Sequence, residues 1–292
     1  MTIELPATWV DASRLEQALV ARGGAHEAQS NQATFRFPVG CKVMIDAAVR
    51  LLSLLNQLDA CTRRVMLQFD EGEAGAMGYL DRMGFFDCLS PDVEVSPYRP
   101  AFSAADTFRG RNRGLVEIAA IGRDTRDPDL PDRLTSALIQ ACGDRRDVQE
   151  LGGAAWLIFA ELIDNIYSHS QTPLDGFAAL QVYRRGNGLK VAVSDSGLGI
   201  MDTLRPSLKS DYPSLSRLSD LELLVEIFRE GVSRHGGSRG CGLKGAAAKA
   251  VKFQAELDVR LPQVRVRLTP GMGGYRPNTA RCSGCCSSIP AG

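Results

Sequence analysis

Two periods run through the apolar positions of this chain, and the changes between them mark its elements. "TFRFP", Thr34–Pro38, reads as a short strand. Lys42–Leu58 then places Val43, Ala47, Leu51, Leu54, Leu55 and Leu58 at helical spacing. "VMLQFD", Val65–Asp70, predicts a second strand, and "AMGYLDRMGFF" a short amphipathic helix ending near Gly84. Strand, helix, strand, helix is the order of an α/β unit, here over residues 1–100. Pro91, Pro97 and Pro100, followed by several Arg and Gly residues, place a linker over 101–114.

Beyond the linker, "LVEIAAI", Leu115–Ile121, predicts a strand. "PDRLTSALIQAC" opens a helix with Pro131 in its first turn. Gly152–Ser170 predicts a second, strongly apolar helix. "GFAALQVYRR" and "LKVAVSD" are strands separated by "GNG", a hairpin signal. A long polar segment, about Met201–Ser219, precedes a helix in "DLELLVEIFREG", where Leu221, Leu224, Val225 and Phe228 share a face. "GSRGCGLKGA" leads into another helix, and "AELDVRL" and "VRVRLTP" are closing strands. Residues 271–292 have no period and read as a disordered tail, leaving 115–270 as the second domain.

Composition narrows the class. The chain has 292 residues, 44% hydrophobic and 23% charged, which suits a globular protein of one large or two ordinary domains. Lys+Arg and Asp+Glu are both 34, so no broad basic field for nucleic acid is expected. The N-terminus lacks a charged region followed by an apolar one, and no apolar run reaches the roughly 18 residues of a membrane span. A soluble, cytoplasmic protein with no membrane contact is expected. Cys41, Cys61, Cys88, Cys142 and Cys241 are scattered singly and read as small hydrophobes. Cys282, Cys285 and Cys286 cluster in the tail without a nearby fourth ligand for zinc.

Three motifs carry chemistry. Gly240, Gly242 and Gly245 have the spacing of a dinucleotide-binding turn, but a helix precedes them where such a turn needs a strand. Lys244 is followed by Gly245 rather than Ser or Thr, which excludes a P-loop. In "ELIDNIYSHS", Glu161 and Asn165 are four apart and share one face of an otherwise apolar helix. An amide oxygen can ligand Mg²⁺, and a carboxylate beside it can polarise a water for attack on a phosphoryl group. Asp164 should point away from them to solvent. In "SDSGLGI", Asp195 ends a strand, where its carboxylate can accept from an adenine amino group. Gly197 and Gly199 let the chain turn sharply beside a flat base.

E-x-x-x-N on a helix, D-x-G-x-G after a strand and G-x-G-L opening a later helix occur in that order. This set resembles the GHKL ATPase superfamily of gyrase-type ATPases, histidine kinases and MutL-like proteins, over about residues 115–268. The resemblance implies ATP and Mg²⁺ as ligands and a two-layer α/β sandwich of Bergerat type, a mixed sheet with helices on one face. It implies that Asn165 holds Mg²⁺ and that Glu161 is the general base. Asp195, Gly197 and Gly199 would bind adenine, and Gly240 and Gly242 the phosphates. Residues of about 201–238 would form a mobile lid, with Ser233, Arg234, Ser238 and Arg239 near the γ-phosphate. His169 matches an ending seen in kinase-like members, and equally suits a helix C-terminus.

The resemblance leaves three activities open: an ATPase coupled to lid closure and a regulatory protein partner, an anti-sigma-type serine kinase, or a non-hydrolysing ATP-gated binding module. It leaves the oligomeric state open too, a homodimer included. His26, the only histidine upstream of the helix bearing Glu161, lies in a polar stretch, which argues against a histidine kinase. The N-terminal order of elements resembles a STAS-like domain. Residues 70–76, "DEGEAGA", hold no Ser or Thr to phosphorylate, so a fixed acidic loop, docked or partner-binding, is expected there.

Overall fold

A computed structural model describes residues 1–24, 30–112, 114–122, 126–169, 172–183, 188–197, 199–230, 242–261, 264–270 and 276–281. In the N-terminal half the elements are β1 (Thr2–Glu4), β2 (Trp9–Val10), α1 (Ala12–Val20), β3 (Gln32–Phe37), β4 (Lys42–Val43) and α2 (Ile45–Ala60). β5 (Arg64–Phe69), α3 (Ala76–Arg82), α4 (Phe85–Cys88), β6 (Glu94–Ser96) and α5 (Ala104–Phe108) follow. The second half holds β7 (Leu115–Ile121), α6 (Leu130–Ala141), α7 (Val148–His169), β8 (Gly176–Tyr183) and β9 (Gly188–Ser194). Next come α8 (Gly199–Asp211), α9 (Pro213–Ser216), α10 (Asp220–Glu230), α11 (Gly242–Lys252), β10 (Leu257–Arg260), β11 (Val264–Thr269) and β12 (Arg276–Arg281).

The protein is α/β. Its first sheet is parallel, in the order β1-β3-β5-β6. Sequential order with crossover connections puts the helices on one face. Ala33, Phe35, Phe37, Val65, Leu67 and Phe69 are buried, and the residues between them are half-covered or exposed. β7-β8-β9 form an antiparallel sheet with a β-bulge between Val116 and Ala119.

α2 lies between these two sheets and touches both. It buries residues on every side, among them Val49, Leu51, Leu52, Leu54, Leu55 and Leu58. An all-round apolar helix is a buried helix, and the run "VRLLSLLNQL" reflects two covered faces rather than one. β8 divides its side chains accordingly. Phe177 and Ala179 join the N-terminal core, and Ala178 and Leu180 join the core made with α6 and α7. Burial of Phe177 alone contributes about 1.5–3 kcal/mol. The layers run parallel sheet, α2, antiparallel sheet, then α6 with α7.

The predicted elements are present, except that Lys42 and Val43, expected in the helix, form strand β4 beside β2 and the helix begins at Ile45, and several additions change their setting. The expected linker contains α5, whose Ala105 is fully buried and whose Ala104 N–H donates to Asp81 at 3.2 Å. The acidic loop is docked: Asp70 pairs with Arg36 at 2.9 Å, Glu71 accepts from Gly40 N–H at 2.8 Å, and Glu73 accepts from Tyr98 Oη at 2.7 Å.

Three expectations are corrected. The segment after Met201 is not an open polar stretch. It forms α8, whose buried Met201, Leu204 and Leu208 belong to one apolar cluster with residues of α10, α11 and β11. Pro206, which reads as a helix breaker, sits inside α8. Arg205 fastens the following turn by donating to the carbonyls of Ser216 and Leu218, both at 2.8 Å. Second, part of the expected tail, Arg276–Arg281, is strand β12 paired antiparallel with β11. It has no apolar alternation because it is an edge strand held by backbone bonds, and an edge tolerates Pro277. Third, the strands of the second half form two antiparallel sheets, β7-β8-β9 and β10-β11-β12, among the described residues rather than one mixed sheet.

Candidate functional site

α7 supplies the first pair. Its core stripe, Ala155, Phe159, Ile163 and Ile166, is buried against the antiparallel sheet. One step around the helix, Ala154, Ile158, Glu161 and Asn165 form a half-buried stripe. Glu161 and Asn165 are thus neither in the core nor fully in solvent, and they share one line, as their spacing predicts. Asp164 projects into solvent, 3.7 Å from Arg126. Trp156 is 40% exposed and donates from Nε1 to Asp132 on α6 at 3.0 Å.

β9 supplies the second group. Its side chains alternate: Leu189, Val191 and Val193 pack on the α6/α7 side, while Lys190, Ala192 and Ser194 face the N-terminal unit. Continuing that alternation by one residue carries Asp195 to the α7 side. Asp195 is exposed, and its Oδ1 accepts from Gly197 N–H at 2.8 Å, an Asx turn that shapes the exit from the strand. Gly199 follows at φ +82°, a left-handed conformation that favours glycine, and begins α8. Ser196 is buried, and its hydroxyl has no partner among the described residues.

Gly176 brings the two groups together. A Cβ at this position would lie 2.8 Å from Ile166 Cγ2 and 2.8 Å from the Ser194 carbonyl oxygen. Only a glycine allows the last turns of α7 to close on the end of β9. The neighbours of those contact residues are Asn165 and Asp195.

α11 supplies the third element. It begins at Gly242 and packs on α7 and α10. Lys252 Nζ pairs with Glu150 at 2.6 Å, joining the end of α11 to the start of α7. Lys244 is exposed. Gly240, Ser233, Arg234, Ser238 and Arg239 lie outside the described residues, as do His26 and the three tail cysteines. The structure therefore places Ile166 of α7 and the Ser194 carbonyl of β9 against the same glycine, one residue from Asn165 and from Asp195.

Sequence reasoning passed over two residues around this site. Ser53 is 1% exposed on α2, and its hydroxyl shares a 2.6 Å hydrogen bond with that of Ser194. Asp46, also on α2, accepts from Lys190 at 2.8 Å. A lone serine inside "LLSLL" was the available signal, since a buried hydroxyl requires a partner. Its partner lies 141 positions away.

Comparison with protein-family models, with curated proteins and with solved structures returns no match. Among the described residues no helix is long and apolar enough to cross a membrane.

Proposed function

We propose that this protein is an ATP-binding regulatory protein of the GHKL type that hydrolyses ATP slowly, with the nucleotide seated between α7, the β9–α8 turn and the start of α11. The observation that carries the reading is the approach of α7 to the end of β9 over Gly176. α7, which carries the first motif, also packs on α11, whose first residue is Gly242.

Two further features support it. Gly242 lies ten residues before Lys252, and Glu161 eleven after Glu150. In this proposal α11 runs back along α7 from that ion pair, which would carry Gly242 level with Glu161 at about 1.5 Å of rise per residue. A helix N-terminus there suits phosphate oxygens, because its free N–H groups and dipole favour anions. The exposed carboxylate of Asp195, on the same side of the sheet, suits an adenine amino group.

Each residue then has a role. Asp195 accepts from the adenine, and Gly197 and Gly199 shape the turn beside the base. Gly240 and Gly242 donate backbone N–H groups to phosphate. Asn165 offers one hard oxygen at a half-buried position, which fits Mg²⁺, an ion that keeps several waters and takes phosphate oxygens as ligands. When bound, Mg²⁺ neutralises phosphate charge. Glu161 accepts a proton from the attacking water. Helices α8 to α10 fall in the segment that the GHKL reading assigns to the lid, and their shared apolar core suits a lid that moves as a body.

Incubation of the full chain with γ-labelled ATP and Mg²⁺, with and without cell lysate, tests the reading. Free phosphate is expected. A labelled protein band would replace hydrolysis with a kinase activity, and binding without turnover would leave an ATP-gated module. Absence of ATP binding by calorimetry would remove the reading.

A further inference from the structure

The helix at the centre of the molecule touches the candidate site from the side opposite α7. Ser53 lies in the apolar run of α2 and is almost fully buried. A hydroxyl at such a place costs stability unless it is bonded. Its partner is Ser194, the last residue of β9 and the covalent neighbour of Asp195. Lys190, four residues earlier on the same face of β9, is held by Asp46 of α2 at 2.8 Å. On the neighbouring strand, Tyr183 Oη accepts from the backbone N–H of Ile45, the first residue of α2, at 2.9 Å. α2 therefore grips this hairpin at three points, and the Ser53 contact sits where the chain leaves the strand.

We infer that Ser53 is a positioning residue for the nucleotide site, acting through Ser194 to fix the carboxylate of Asp195, so that the N-terminal unit sets the base selectivity of a site built by the other half of the chain. The inference rests on the ATP reading above. Ser194 is fixed twice. Its hydroxyl is tied to α2, and its carbonyl is enclosed beside Gly176 and Ile166. Removing the hydroxyl tie frees one side of the exit residue. A hydrogen bond from the adenine amino group weakens steeply as its angle departs from linear, so a loosened Asp195 costs adenine recognition. The phosphates, held by other elements, lose nothing.

The test compares ATP with inosine triphosphate, which carries a carbonyl where ATP has its amino group. Affinities are measured by calorimetry on the full chain for the unaltered protein, Ser53→Ala, Ser194→Ala, the double variant and Asp195→Asn. The preference for ATP is expected to fall roughly threefold to tenfold in each serine variant, the worth of one hydrogen bond. It should fall no further in the double variant, because both changes remove the same interaction. Inosine triphosphate affinity should stay unchanged. A merely structural role would lower both affinities together, and that result overturns the inference. So does an unchanged preference in both single variants while Asp195→Asn abolishes ATP binding, an outcome that leaves the ATP reading standing. If the unaltered protein binds no ATP, the reading and the inference fall together. Should Ser53→Ala fail to fold, Ser194→Ala at the rim carries the test alone.

Discussion

Arg260 on β10 reaches Glu16 on α1, with Nε 2.6 Å from Oε1 across 244 positions of sequence. Arg50 on α2 meets the same carboxylate oxygen at 2.9 Å. The Glu16 side chain is 7% exposed, and those of Arg50 and Arg260 are 10% and 16% exposed. One carboxylate is thus shared by two guanidinium groups at a point where α1, α2 and the last sheet converge.

Removing that carboxylate should be costly, because two poorly solvated guanidinium groups lose the anion they share. Glu16→Ala is expected to lower unfolding free energy by about 3–5 kcal/mol, read from the urea midpoint. By contrast Lys252→Ala removes an ion pair whose side chains are 62% and 66% exposed, and should cost under about 1 kcal/mol. Equal effects from the two changes would contradict the buried network.

Gly176 permits a close approach beside the candidate site. Gly176→Ala puts a methyl group 2.8 Å from both Ile166 and the Ser194 carbonyl. A loss of about 1–3 kcal/mol is expected, together with weaker ATP binding, since α7 must move away from the end of β9. Thermal melts and calorimetry on the same sample check both. An unchanged melt would mean the helix has room that the backbone does not show.

The site residues should separate binding from turnover. Asp195→Asn is expected to abolish ATP binding, because the adenine amino group loses its acceptor. Glu161→Ala should bind ATP normally and lose hydrolysis by roughly two to four orders of magnitude, the usual contribution of a general base. Normal turnover in Glu161→Ala would move the base elsewhere.

Two thiols should report burial through pH. Burial pushes Cys41 up to about 11, with Glu71 adding to it, and Cys88 up to about 12, with Asp87 and Asp175 adding to it. Their ordinary value is 9.0, so the folded state holds both thiols protonated where the unfolded chain begins to ionise them. That contribution to stability is complete below pH 9.0 and is lost as pH rises toward about 11 and about 12. Alkylation at pH 8.5, mapped by peptide mass spectrometry, should be slow at both in the native protein and fast in urea. Rapid native labelling of Cys41 would refute its burial.

Much of the fold was legible because local patterns carry it. Leu115–Ile121 reads as a strand and is one, and the hairpin of β8 and β9 follows from two apolar runs around a glycine turn. α8 was hidden because its segment reads as mostly polar, although Met201, Leu204 and Leu208 stand at helical spacing. β12 was hidden because an edge strand needs only backbone partners. The spacing of Glu161 and Asn165 gave their shared face, and the strand before Asp195 gave its place.

The sequence by itself determined most of the longer elements, the α/β class and the three motifs, since propensity, period and turn chemistry act over a few residues. Tertiary structure alone decided that α2 lies between two sheets, that Gly176 lets α7 reach the end of β9, and that Ser53 and Ser194 share a hydrogen bond. Those relations depend on residues brought together from far along the chain. Packing selects them from many pairings that the local pattern leaves equally open.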